Sequence, residues 1–177
     1  KNNGGKKKVL ASVLAGLAMV GAGAMGTPVQ ANVDLGNSAV NISPNGTYNG
    51  SNSVGVNSVV VGYQNSTDNN DGTLAYGANN HVKGNSAFAI GNNNKAEGGN
   101  AYSMGNTSEA KGTATLAFGN QAKALADYTV AIGSGAQATA NNAVAVGRVN
   151  KATNASAVAL GVNNKAEGQD STAVGST

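Results

Sequence analysis

Residues Ser86-Ala87-Phe88-Ala89-Ile90-Gly91-Asn92-Asn93-Asn94-Lys95-Ala96-Glu97-Gly98 decide how this chain folds. The stretch opens with small and large residues in alternation, the period-2 signature of a strand. Three asparagines follow as turn material, and Lys95-Ala96-Glu97-Gly98 reads as a second, shorter strand. Two strands and two tight turns account for the whole stretch. The same grammar returns downstream. Ala143-Val144-Ala145-Val146 and Ala157-Val158-Ala159-Leu160 repeat the alternation, while Glu109-Ala110-Lys111-Gly112 and Lys165-Ala166-Glu167-Gly168 repeat the short strand.

Glycine marks the period. Gly77, Gly91, Gly105, Gly119, Gly133, Gly147, Gly161 and Gly175 stand 14 residues apart, and Gly62 lies one residue out of register upstream. A fixed period sustained over so much of a chain identifies a solenoid, in which each unit contacts mainly its neighbours. The expected fold is therefore all-β, a parallel β-roll of two strands and 14 residues per coil. The segment Gln64 to Gly72 has to absorb the extra residue as a bulge.

Side-chain facing is the next inference. The charged residues of the short strand belong in solvent, which turns Ala96 and Gly98 inward. If large residues fill the space opposite them, Phe88, Ile90, Phe118, Ile132, Val144, Val146, Val158 and Leu160 form the core. Ala87, Ala89, Ala131, Ala143, Ala145, Ala157 and Ala159 then lie outside as a flat strip suited to close approach by another chain, the expected seam of a homotrimer.

The two ends differ from the repeats. Lys1, Lys6, Lys7 and Lys8 precede an apolar run from Val9 to Ala24, and Val29-Gln30-Ala31 supplies a small-residue exit, the pattern of a secretory signal peptide over residues 1–31. Residues 32–57 are less regular and read as a cap or degenerate coils, with the repeats filling 58–177. Of the 11 basic residues, the 4 in the head leave 7 from residue 32 onward against all 8 acidic ones, a formal charge of −1. The overall positive charge thus belongs to the leader, and no nucleic-acid partner is expected. The absence of cysteine excludes disulfides, thiolate catalysis and cysteine-based zinc sites.

Chemistry-bearing residues are sparse. His81, the single histidine, occupies a ladder position that is lysine at 95, 123, 151 and 165, and no motif supplies a nucleophile and an orienting acid. Asp68-Asn69-Asn70-Asp71-Gly72 has the wrong spacing for a calcium loop. Gly133-Ser134-Gly135 has no helix to follow it and so makes no phosphate loop. Asn65 and Asn154 begin glycosylation-type triplets of the kind chance produces in so Asn-rich a chain, and Thr113 and Thr115 do not recur as an ice-binding rank would require. No enzyme activity, cofactor or metal is expected.

The repeats closely resemble the heads of the YadA-like trimeric autotransporter adhesins, whose repeat carries an Asn-Ser-Val-Ala-Ile-Gly core. The matching segments are Asn85-Ser86-Ala87-Phe88-Ala89-Ile90-Gly91, Asp127-Tyr128-Thr129-Val130-Ala131-Ile132-Gly133, Asn142-Ala143-Val144-Ala145-Val146-Gly147 and Asn57-Ser58-Val59-Val60-Val61-Gly62. The resemblance spans about Ser53 to Gly175. It implies a left-handed roll, three chains side by side, exposure on a Gram-negative cell and binding of host matrix or cell-surface molecules. No neck, heptad stalk or barrel strands follow before Thr177, so membrane contact is expected only through stalk and anchor regions outside this sequence, or a secreted head if the sequence is whole. A structural spacer or fibre subunit without a host ligand is the alternative function.

Overall fold

A computed structural model describes residues 30–34, 39–43, 56–68 and 70–176. All but the last two residues of the leader expected over 1–31, and most of the irregular segment that follows, lie outside the described residues. Nine long strands run from Val59–Tyr63 to Thr172–Ser176, stacked in parallel in one sheet. Seven two-residue strands, from His81–Val82 to Lys165–Ala166, stack in a second sheet. From Leu74–Ala78 onward long and short strands alternate, and no helix occurs among the described residues. The protein is a parallel β-solenoid with coils of about 14 residues.

Register follows the glycine period. Ala117 pairs with Ala131, Ala131 with Ala145 and Ala145 with Ala159, each a step of 14. The first pair of long strands steps by 15, Gly62 onto Gly77. That offset persists at the bridge from Ser66 to His81 and has become 14 where the Asp71 amide meets the Asn85 side chain. The register therefore changes between Ser66 and Asp71, inside the expected bulge. At the other end of the long sheet, Gln30–Asp34 pairs antiparallel with Ala39–Ser43, which in turn lies parallel to the first long strand. Cleavage after Ala31 would shorten that outermost strand to three residues.

The turns explain why the coil closes in so few residues. Each uses a residue in the left-handed region, asparagine at Asn79, Asn93, Asn142 and Asn163, where such residues tolerate it well. Tyr128 and Val149 take the same conformation at φ 57° and 60°. For these bulky residues the strain is offset by the stack, since their amides donate to Thr113 O and Ser134 O at 2.9 Å. The periodic glycines answer a different demand. Gly91 has φ 120°, and a Cβ there would run into the carbonyl oxygen of Gly105 in the next coil.

The interior reverses the expected facing. Ala87, Ala89, Ala131, Ala143, Ala145, Ala157 and Ala159 are all 0% exposed in the single chain, so they form the core and cannot be a seam between chains. Phe88, Ile90, Ile132, Val144, Val146, Val158 and Leu160 are only half-buried and Phe118 is exposed, all on the outer face of the long sheet. The expectation failed because it assumed that small residues on one sheet need large residues opposite them. Here the two tight turns bring the sheets so close that alanine meets alanine, Ala89 and Ala96 alike being fully buried.

Four inward columns make up this interior. The long strands contribute one column from Val60 through Ala75 and Ala89 to Ala159, and the residues just before them contribute another, from Ser58 through Thr73 and Ala87 to Ala157. The short strands contribute the column from Val82 to Ala166. The fourth column, at the turn, is polar: Asn65, Asn80, Asn94 and Ser108, then Ala122 and Ala136, then Asn150 and Asn164. These amides are satisfied along the stack. Asn94 Nδ2 donates to Ile90 O at 2.9 Å, Gly105 O at 2.9 Å and Asn80 Oδ1 at 3.0 Å. Asn80 repeats the pattern with Tyr76 O, Gly91 O and Asn65 Oδ1. Each asparagine thus clamps the carbonyl of a periodic glycine in the following coil, which pairs polar groups buried in a core too thin to hold water. Where the column switches to Ala122 and Ala136, the intervening long strand shortens to Val130–Ile132.

Candidate functional site

With the alanines inside, the outer face of the long sheet becomes the principal feature of the surface. Two columns of side chains stand on it. One runs Val59, Leu74, Phe88, Tyr102, Leu116, Val130, Val144, Val158 and Thr172; the other runs Val61, Tyr76, Ile90, Met104, Phe118, Ile132, Val146, Leu160 and Val174. Seventeen of the eighteen are apolar or aromatic. None is fully buried, and Tyr76, Phe118 and Val174 are 54%, 50% and 68% exposed. Phe88 and Tyr102 meet on adjacent coils in a tilted arrangement, with ring centroids 5.1 Å apart. A contiguous apolar strip along nine coils is a surface built to be covered.

The short sheet presents the opposite face. Its outer ladders carry the charges, and lysine and glutamate meet there in two directions. Lys111 Nζ lies 2.7 Å from Glu109 Oε2 along one strand, and Lys123 Nζ lies 4.0 Å from Glu109 Oε1 in the next coil. The hydrogen bond from Lys111 holds the Glu109 carboxyl below the usual glutamate range, with the Lys111, Lys123 and Lys95 charges helping and partial burial opposing. The same bond raises Lys111 above the usual lysine range.

His81 occupies its ladder position half-buried rather than fully solvated, with Nε2 3.2 Å from Asp68 Oδ2 on the bulge. Ser66 Oγ donates to the other oxygen of the same carboxylate at 2.8 Å. Serine, aspartate and histidine are therefore together, but the carboxylate stands between the other two. In a nucleophilic relay the imidazole must take the hydroxyl proton, and here the hydroxyl is turned to the acid instead. Asp71 faces elsewhere, accepting from the Val56 amide at 2.9 Å. Among the described residues no group of three or more His, Cys, Asp or Glu is placed to hold a metal ion.

Other sequence candidates are placed by the fold as well. Asn65 is buried, its amide donating to Val61 O and Gly77 O at 2.9 Å, so it is an interior clamp. Thr115 is buried with its hydroxyl on Gly112 O and has no place on a surface rank. Sequence reasoning missed the outward apolar columns. The signal was present, because residues too large for a coil closed by two tight turns had to lie outside it.

The sequence signature of the family described as YadA head domain repeat (2 copies) matches at residues 96–122, 110–136, 124–148 and 152–177. Residues 96–148 and 152–177, just under half of the chain, are thus similar to YadA head repeats. Among curated proteins and among solved structures, nothing matches the chain. The YadA-type grammar also continues upstream of the matched span. Gly62, Gly77 and Gly91 pair in the same sheet register as Gly105 and Gly119, and the buried column continues through Val60, Ala75 and Ala89. Among the described residues no helix is long and apolar enough to cross a membrane.

Proposed function

We propose that the YadA-type roll is the head of a cell-surface adhesin, assembled as a homotrimer through the outer face of the long sheet. The observation that carries this reading is the pair of apolar columns from Val59 to Thr172 and from Val61 to Val174. Their alanine neighbours already fill the roll, so only another chain can cover them. Three chains packed on these faces put three short-sheet faces outside, where a host matrix or cell would meet them. Repetition along and around the fibre turns weak single contacts into avidity. In this reading residues 1–31 export the chain, and the head is displayed on a Gram-negative cell by stalk and anchor regions.

The test is the absolute mass of the purified chain by light scattering, followed by its adherence to surfaces coated with matrix proteins. Three chain masses together with saturable adherence are the expected result. A folded monomer would refute the seam. A trimer that adheres to no matrix protein or cell would refute the adhesin reading in favour of a spacer.

A further inference from the structure

From residue 32 onward the chain has six lysines, Lys83, Lys95, Lys111, Lys123, Lys151 and Lys165. The fold gathers all six on or beside the strands of the short sheet, facing out, with only Glu97, Glu109 and Glu167 among them. Six positive against three negative groups leave that face at +3, although residues 32–177 carry −1 overall. Charge has therefore been sorted by the topology. The five aspartates, Asp34, Asp68, Asp71, Asp127 and Asp170, all lie outside the short strands.

The sorting is uneven along the axis. In the coils of His81, Lys95 and Glu109 the lysines alternate with glutamates and share Glu109. From Lys123 onward the two outward ladders read Lys123, Gln137, Lys151, Lys165 and Leu125, Thr139, Thr153, Glu167. Lys151 pairs directly with Lys165 across the sheet. Like charges placed opposite one another on adjacent strands oppose pairing. Neither lysine has a carboxylate within salt-bridge distance among the described residues.

We infer that this C-terminal half of the short-sheet face binds an extended anionic polysaccharide laid along the solenoid axis. An anion across Lys151 and Lys165 relieves a repulsion that no ion pair relieves among the described residues. Adjacent strands are about 4.8 Å apart, which places Lys123, Lys151 and Lys165 along a straight line of roughly 14 Å. Lys123 and Lys151 are then two coils apart, comparable with one disaccharide unit. The groups between and beside the cations, Gln137, Thr139 and Thr153, are amides and hydroxyls suited to sugar hydroxyls. Single-stranded nucleic acid is disfavoured because no aromatic ring stands on this stretch to stack a base. The inference rests on the adhesin reading for its setting and gives that head a ligand class.

The experiment is titration of the purified chain with heparin as the anionic probe, with uncharged dextran and a single-stranded oligonucleotide alongside. Heparin is expected to bind at low salt with an affinity that falls as salt is added, and Lys151→Gln with Lys165→Gln should weaken it about tenfold. The control pair Lys83→Gln with Lys95→Gln, in the balanced coils, should weaken it no more than about twofold. Failure to bind heparin, equal losses from the two pairs, or equally tight binding of the oligonucleotide would each overturn the inference. Adherence of the same preparation to matrix-coated surfaces separates the two readings. A chain that adheres without binding heparin loses only this ligand assignment, and one that binds heparin yet adheres to nothing loses the adhesin reading.

Discussion

The two sheets of this roll share one interior and differ in everything they show to the outside. Inward, both are lined by alanine and a few small polar residues, with Ala89 on the long strands and Ala96 on the short ones equally sealed. Outward, the long sheet carries Phe88, Ile90 and Phe118 in half-covered columns, and the short sheet carries lysine, glutamate, glutamine and threonine. The interior therefore sets the shape of each coil, while the outer faces separate the work. One is apolar enough to be buried against copies of itself, and the other is charged enough to stay in water. A globular domain hides its large apolar residues in its own core. This chain cannot, because its core is too thin to admit them.

The strongest test of the comparison is to force charge into the shared interior. Ala145→Lys puts an ammonium group where the side chain is 0% exposed. With no partner for it, the expected cost is about 3 kcal/mol or more, seen as loss of a cooperative thermal transition by circular dichroism. A variant that kept its β-signal and merely fell apart into monomers would return the alanines to the seam. The same charge change on the outer long-sheet face should do the opposite. Phe118→Asp, at a side chain 50% exposed, should leave the coil folded and abolish the proposed trimer. Each copy is expected to lose about 2 kcal/mol of association energy, read as chain mass by light scattering.

The smallest effect belongs to the charged face. Glu109→Gln removes both ion pairs of the ladder and should shift stability by only about 0–1 kcal/mol, measured by denaturant titration. Its pH dependence has a defined sign. The Glu109 pKa is depressed by Lys111, so its contribution is present above the ordinary glutamate range and is lost as pH falls through the lowered folded value. The Lys111 pKa is raised, so its contribution is full below the ordinary lysine range and is lost as pH climbs through the raised value. Between those limits the pair is at full strength. The difference between parent and Glu109→Gln should therefore be flat through neutral pH and shrink on acidification.

Much of this architecture is legible in the order of residues. The 14-residue glycine interval locates every long strand, and Lys95-Ala96-Glu97 locates the short one with its charges correctly outside. The bulge after Gln64 follows from one residue of slippage in that interval. The burial of Asn65, Asn80 and Asn94 is not legible, because asparagine in a turn ordinarily faces water. Its reason lies in Gly77 and Gly91, whose carbonyls turn inward and need a donor, a demand created by a different coil. The lysine ladder at 95, 123, 151 and 165 is legible from the period, but the net positive charge of its face is not, since net charge averages over faces that only the fold separates.

Sequence alone determined that the chain is a β-solenoid, where its coils begin and end, and that alanine and its larger neighbours point to opposite sides of each long strand. Period and alternation are local properties, written into consecutive residues. The tertiary structure decided which of those two sides is the inside. Alternation is symmetric between in and out, and that symmetry is broken only by the distance between the sheets. Two tight turns and the asparagine clamps set that distance too short for anything much larger than alanine.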